Sequence, residues 1–247
     1  MNVLLLAAGR GERLKPFTDK TPKCLIPIIG IPLLKIWLEK FVHNEMISKI
    51  YINTHYLSEL VRDFVEKDYK HVRKIELLHE TELLGTGGTL VSLLPKLLQE
   101  DLLVAHADNL SLFSFGLFYE SFENRPDCCD ITMMTFFCDN PSHCGIVTVD
   151  DNKVVQSFHE KPAISDSNLA NGAVYFFSKT VLSSIKEKEF KNIQEISLDV
   201  IPKFIGRINA WHNTGYHRDI GTPVSYQQAL RDIDSQLLKN HMEMNTK

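Results

Sequence analysis

Apolar and polar positions alternate along this chain with two periods. Residues 3–8, VLLLAA, are a continuous apolar run of the kind that fills a strand buried on both faces of a parallel sheet. Leu34, Trp37, Leu38 and Phe41 then recur at helical spacing, and KIYINTHY alternates as a second strand. LSELVRDFVEK places Leu60, Val61, Phe64 and Val65 on one helical face, and KIELLHE reads as a third strand. GTGGTLVSLLPKLL reads as a loop opening a helix, and DLLVAHADN as a buried strand ending in polar residues. This rhythm predicts a mostly parallel, right-handed α/β sheet with helices on both faces.

From about residue 130 the texture changes. DITMMTFFC, GIVTVD, KVVQSFHEK and GAVYFFS are strands separated by turns, with no helix between them, and extend the sheet in antiparallel or mixed fashion. SLDVIPKFI reads as a helix, INAWHNTGYHRDI as a bent strand, and PVSYQQALRDIDSQLLKNHM as one closing helix begun by Pro223, with a frayed tail beyond it. The apolar LFSFGLFYESF at 112–122 reads as core. The expected organisation is a single domain over 1–247, with one half at about 1–125 and a second at about 126–235.

Composition changes this picture little. Hydrophobic residues at 44% and charged residues at 23% describe an ordinary globule with a sizeable core. A formal charge of -4 supplies no field for duplex nucleic acid, so phosphate recognition is expected to be local and nucleic acid is not an expected partner. Five cysteines, an odd set without CxxC spacing, read as reduced thiols. No signal peptide or membrane span is evident, and a cytoplasmic location is expected. The sequence leaves homo-oligomer formation open.

The first loop carries the candidate chemistry. A buried strand that runs into Gly9 and Gly11 aims backbone N–H groups at the carboxyl edge of a sheet, where α/β proteins bind ligands. Arg10, Arg13, Lys15, Lys20 and Lys23 call for a ligand with several negative charges, such as a triphosphate. GRGER lacks the third glycine of a dinucleotide fingerprint, and no GK[ST] follows to complete a P-loop.

The longer stretch LAAGRGERLKPFTDKTPKCLIPIIGIPLL resembles the signature of sugar-1-phosphate nucleotidylyltransferases, GxGxRLxPxTxxxPKxLxPxxxxPxL. The resemblance implies a Rossmann-like fold and transfer of a nucleoside monophosphate to a sugar 1-phosphate, with release of pyrophosphate. It implies nucleotide contacts from Leu6, Ala7, Ala8, Gly9 and Gly11, with Arg13 holding the β and γ phosphates and Lys23 meeting the α-phosphate or the sugar phosphate. LLGTGGTL is similar to the family's base-binding segment, which makes Glu80, Gly85, Thr86, Gly87 and Gly88 base-contact candidates.

VAHADN ends with Asp108, and NTGYHRDIGTPVSY resembles WxDIGTPxxY and supplies Asp219. Together these aspartates are the expected Mg²⁺ carboxylates. FHEKP resembles the family's EKP element, with Glu160 taking sugar hydroxyls and Lys161 the sugar phosphate. CGIV and NLANGAVYFF resemble YGVV and xNxGxYxF, placing Gly145, Asn171 and Gly172 near the sugar. LGTGG and DIGTPxxY are most similar to guanylyltransferases acting on mannose 1-phosphate or heptose 1-phosphate, so GTP is the first choice. Uridylyl- and cytidylyltransferases share the frame, and a silent nucleotide-sugar-binding relative is the rival from another class. A glycosyltransferase would need a DxD motif, for which DNL is a poor match. The C-terminal β-helix of longer relatives is not expected.

Overall fold

The computed structural model describes residues 1–97, 100–185 and 193–244, so the expected frayed tail lies largely outside the described residues. In chain order the elements begin with β1 (Asn2–Leu6), β2 (Pro27–Ile28), β3 (Ile31–Pro32), α1 (Leu33–Leu38), β4 (Lys49–Thr54), α2 (Ser58–Asp68) and β5 (Ile75–His79). They continue with α3 (Gly85–Leu97), β6 (Leu102–His106), β7 (Asn109–Ser111), α4 (Phe115–Glu123) and β8 (Ile131–Phe137). The remainder comprises β9 (Gly145–Val149), β10 (Val155–Glu160), β11 (Leu169–Phe177), α5 (Lys179–Ile185), β12 (Ile208–His212), β13 (His217–Asp219), α6 (Pro223–Asp232) and α7 (Ser235–Met244). The fold is mixed α/β, with a largely parallel central sheet and helices around it.

The chain divides into two compact units, each discontinuous in sequence. The first comprises Met1–Leu83, Ala105–Phe115 and Gly215–Lys247. There β1 pairs in parallel with β4, and β4 with β5, through registers that set Leu4 against Tyr51 and Ile52 against Leu77. Residues 3–8 are all buried, as a strand covered on both faces requires. Leu14, Ile26 and Ile28 of the long first loop are sealed into a core with Leu33, Leu110, Ile220, Tyr226 and Leu238. Each such buried side chain contributes about 2 kcal/mol, so the loop is held as firmly as a regular element.

The second unit comprises Leu84–Val104 and Gly116–Thr214. Antiparallel pairs join β10 to β9, β9 to β11 and β11 to β8, while β12 runs parallel to β8. Phe118, Phe122, Phe176 and Trp211 form its aromatic centre, with ring centroids 4.7–5.0 Å apart.

Four sequence expectations are corrected. The segment around SLDVIPKFI is not a regular helix but two short helical turns, Ile196–Val200 and Ile201–Phe204, because Pro202 has no N–H to continue the first. The bent strand is two separate strands, β12 and β13. The closing helix is also two: Thr222 caps α6 by accepting from Ser225 N–H with Pro223 in the first turn, but buried Ile233 takes an extended conformation and Asp234 recaps the chain at Leu237. Leu60, expected on one helical face with Val61, Phe64 and Val65, is exposed, while Val61 is buried.

Lys40 is buried in the first unit, its ammonium donating to the Ile36 carbonyl at 3.0 Å and lying 5.4 Å from the Trp37 ring and 5.6 Å from that of Phe113. Desolvation lowers its pKa to about 7, while burial, followed by the charge of Lys40, lowers His241 to about 3. Below pH 7 both folded and unfolded chains carry the Lys40 proton, and the folded state bears the full cost of burying it. Between pH 7 and 10 the unfolded chain holds a proton that the folded chain lacks, so this residue makes stability rise with pH, by up to about 1.4 kcal/mol per unit. Denaturant titrations of wild type and Lys40→Met at pH 7 and 10 are expected to show this rise in the wild type and a flatter profile in the variant.

Candidate active site

In the first unit, the carboxyl ends of neighbouring strands gather charge. Ala107 N–H donates to the Leu6 carbonyl at 3.0 Å, and the Trp37 indole donates to the Asn109 carbonyl at 2.9 Å, which together fix the segment carrying Asp108. Antiparallel pairing of β13 with β7 sets Asp219 opposite Asn109, one residue from Asp108. Lys23 enters between the two acids. Its Nζ donates to Asp108 Oδ2 and to Asp219 Oδ1, each at 2.9 Å, and the residue is only 6% exposed.

Burial by itself would lower the Lys23 ammonium, but the charges of Asp108 and Asp219 outweigh it and hold its pKa above the ordinary lysine value. For half-exposed Asp219, desolvation pushes upward, and Lys23, Arg13 and the Gly221 N–H prevail to hold it low. Arg13 stands 3.6 Å from Asp219 Oδ2, with its side chain largely exposed. Gly221 N–H donates to Asp219 Oδ1 at 2.8 Å, and a Cβ on Gly221 would meet Asp219 Oδ1 at 2.9 Å and an Arg13 nitrogen at 3.0 Å. A cavity of about 390 Å³ opens over Arg10, Gly11, Arg13, Lys23, Asp108 and Gly221.

Of the two loop glycines, Gly11 has a positive φ, 63°, and Gly9 does not. A Cβ on Gly11 would stand 2.8 Å from Thr18 Cγ2 and 3.3 Å from Lys23 Cβ, so a side chain there would collide with the loop's own return path. Thr18, fully buried, closes that path by donating to the Gly11 carbonyl at 2.8 Å. Asn53 accepts from Ala7 N–H at 2.6 Å and donates to Glu80 Oε1 at 2.9 Å, while His55 Nδ1 lies 2.9 Å from the Glu80 carbonyl oxygen. Sequence reasoning missed Thr18, Asn53 and Gly221; Thr18 had a signal as the threonine of the GxGxRLxPxT frame and Gly221 in its place in DIGTP, while Asn53 had none.

The second unit assembles the other candidates. Gly85 to Gly88 lie in the first turn of α3, not in a loop before it. A Cβ on Gly85 would meet the Gln194 carbonyl at 2.4 Å, and one on Gly87 the Ile193 side chain at 2.2 Å. These two glycines therefore admit the segment 193–195, which is also tied to Thr86 through Ile196 N–H and Glu195.

At one end of β10, β9 and β11, Glu160 is paired with Gly145, and Ala170 with Ile146, which brings Asn171 beside them. A Cβ on Gly145 would touch the Phe158 ring at 2.7 Å and Glu160 Oε2 at 2.9 Å. Lys161 Nζ is 3.4 Å from Glu160 Oε1, and its backbone, at φ 47°, donates to the Cys144 carbonyl. The Asn171 amide donates to the Tyr175 hydroxyl at 2.6 Å and accepts from Ala173 N–H at 2.9 Å. Tyr175, also missed from sequence, is buried, which raises its phenol pKa. The left-handed residue of this bulge is Ala173, at φ 53°, and not Gly172.

Among the described residues no group of three or more His, Cys, Asp or Glu side chains could hold a metal. The donor set still fits magnesium, which is usually held by one or two carboxylates, with waters and substrate phosphates completing the sphere. Asp108 and Asp219 already converge on one cationic centre, the Lys23 ammonium.

The sequence model of nucleotidyl transferases matches residues 2–236. The chain belongs to the nucleotidyl transferase family. It is 30% identical over 226 residues to the bifunctional protein GlmU of Methanocaldococcus jannaschii, covering 90% of this chain and 52% of that protein. It is 30% identical to the mannose-1-phosphate guanylyltransferase catalytic subunit beta of Drosophila melanogaster, covering 90% of this chain and 60% of that one. The chain thus spans little more than half the length of these relatives. Among solved structures of the fold, HddC from Yersinia pseudotuberculosis complexed with GMP-PN superposes with a TM-score of 0.75 at 26% identity, covering 94% of this chain and 99% of that chain. No helix among the described residues of this nucleotidyl transferase family member is long and apolar enough to cross a membrane.

Ala173 holds a conformation that costs an L-residue about 1–2 kcal/mol. Ala173→Gly is expected to raise the melting temperature by about 2–4 °C, measured by differential scanning calorimetry; an unchanged or lower value would show that glycine's extra freedom in the unfolded chain cancels the relief.

Proposed function

We propose that the chain transfers a nucleoside monophosphate from a nucleoside triphosphate, with GTP as first choice, to a mannose- or heptose-type sugar 1-phosphate, forming a nucleotide sugar and pyrophosphate. The observation that carries this reading is the cationic cavity of the first unit. Arg10, Arg13 and Lys23 line it together with the acids Glu12 and Asp108, an arrangement suited to a polyphosphate and its counter-ion.

The sugar phosphate is itself an anion and supplies the attacking oxygen, so no protein nucleophile is required. The work of the protein is to orient its substrates and to screen their charge. Arg13, largely exposed and only loosely paired with Asp219, is free to turn to the β and γ phosphates. Lys23 is held rigid by two carboxylates, and its position suits the α-phosphate. Magnesium, when bound, supplies Lewis-acid neutralisation of phosphate charge, and Asp108 and Asp219 would hold it. In the second unit, Lys161 suits the sugar phosphate. Glu160, lying over the bare face of Gly145, suits sugar hydroxyls.

Glu80 supports the choice of guanine. A buried carboxylate only accepts hydrogen bonds, and its Oε1 already takes the Asn53 amide. The guanine edge offers two adjacent donors, N1–H and N2–H₂, whereas uracil offers one donor between acceptors. The guanylyltransferase name of one relative and the GMP-PN bound to a structural neighbour point the same way. The GlmU resemblance favours a second reading, with another nucleotide in the same reaction.

Pyrophosphate release measured with four nucleoside triphosphates and a panel of sugar 1-phosphates tests the proposal. Lys23→Ala and Asp108→Ala are each expected to lower turnover at least about 100-fold while melting stays cooperative; rates near wild type would refute the assigned roles. Tight nucleotide-sugar binding with no pyrophosphate release from any pair would instead identify a non-catalytic relative. Glu80→Gln is expected to shift preference from GTP toward UTP by about tenfold or more, read as the ratio of kcat/KM values.

A further inference from the structure

A second cavity, of about 480 Å³, lies wholly within the second unit, between α4, the turn joining β9 to β10, and β12. That volume is within the range of small-molecule sites, about 300–1,000 Å³. The hairpin β9–β10 holds Gly145 and Glu160 at its open end and this turn at its closed end. Five residues of strand, roughly 17 Å, therefore separate the cavity from the candidate sugar-phosphate residues.

The cavity is firmly built. Asn209, 5% exposed, forms its floor and donates to the Ser121 carbonyl, the Ser121 hydroxyl and Thr132 Oγ1, tying α4 to the sheet. Trp211 lies two residues further along β12 and so faces the same side. Its ring is backed by Phe118 at 5.0 Å, and the residue is half-buried. The rim is held by Asp150, whose Oδ1 accepts from Asn152 N–H and Val154 N–H and whose Oδ2 accepts from Gln156. Lys153 is kept at φ 64° by bonds from its N–H to the Asp150 carbonyl and from Ala210 N–H to its own carbonyl.

This rigid frame presents uncommitted chemistry. The side chains of Glu120, Asn152 and Lys153 line the cavity and make no hydrogen bond or ion pair among the described residues. Together they offer acceptors, an amide with both functions and a cation, beside an apolar wall of Trp211, Leu117 and Pro126. A purely apolar ligand would make no use of these three exposed polar groups, and a polyphosphate would meet Glu120. A pyranose ring matches both sides: its C–H face covers an indole, and its hydroxyls both donate and accept.

We propose that this cavity is a second, non-catalytic binding site for a hexopyranose, free or carried on a phosphate or nucleotide. Lys153 is placed to discriminate among those forms.

The chain contains two tryptophans, and Trp37 is 1% exposed, so Trp211 is the fluorescence reporter for this site. Emission of the full chain would be titrated with glucose, mannose and galactose, their 1-phosphates and a nucleotide hexose, with GMP as the sugar-free control. Saturable quenching by at least one hexose form is expected, weakened tenfold or more in both Glu120→Ala and Asn152→Ala, whose side chains support no other contact. Lys161→Ala, at the far end of the hairpin, is expected to leave that quenching in place. Absence of quenching by every hexose form, a response to GMP as strong as to any hexose, or a response lost in Lys161→Ala but kept in the two cavity variants would overturn the proposal.

Discussion

A buried ammonium shared between two carboxylates organises the first unit. Lys23 could not stay charged in the interior alone, because removing a charge from water costs several kcal/mol unless it is paired. Buried Lys40, which has no acid beside it among the described residues, has its pKa lowered to about 7. Asp108 and Asp219 supply that pairing at 2.9 Å each, and the arrangement holds only if three distant segments meet. Much of the surrounding structure serves this meeting. The left-handed Gly11 and the Thr18 bond shape the loop that delivers Lys23. The Trp37 indole and Ala107 N–H anchor the Asp108 segment, and the β13–β7 ladder carries Asp219 into register.

The second unit positions its charges by a different means. Here the backbone is bent: Lys161, just past the end of β10, and Ala173, at the bulge within β11, both occupy the left-handed region, each beside a candidate ligand. Non-glycine residues persist in that region where the surroundings over-determine them. The Cys144 carbonyl does so for Lys161, and Asn171 does so for Ala173. The Asn171 amide is already engaged by Tyr175 and Ala173, so its first role is to shape the bulge. The glycines at 85 and 87 act in a comparable way, admitting neighbouring main chain where any side chain would collide.

Much of this was legible in the sequence. The apolar run VLLLAA announced a strand covered on both faces, and the loss of helices after residue 130 announced the antiparallel pairs. Errors fell where local pattern and tertiary demand diverge. The apolar period ran unbroken through Ile233, yet burial of that residue in an extended conformation split the closing helix. GAVYFFS read as a plain strand, but the strand carries a bulge that puts Ala173 in the left-handed region.

By itself the sequence determined the family and the strand–helix alternation of the first hundred residues, and it nominated Arg13, Lys23, Asp108 and Asp219 as site candidates, because motif spacing and hydrophobic period are local properties of a chain. Only the tertiary structure decided that Lys23 bridges acids 85 and 196 positions away, that Asn53 links Ala7 to Glu80, and that Tyr175 holds Asn171. Such contacts depend on which strands pair and in what register, and a shift of one residue turns every side chain to the opposite face.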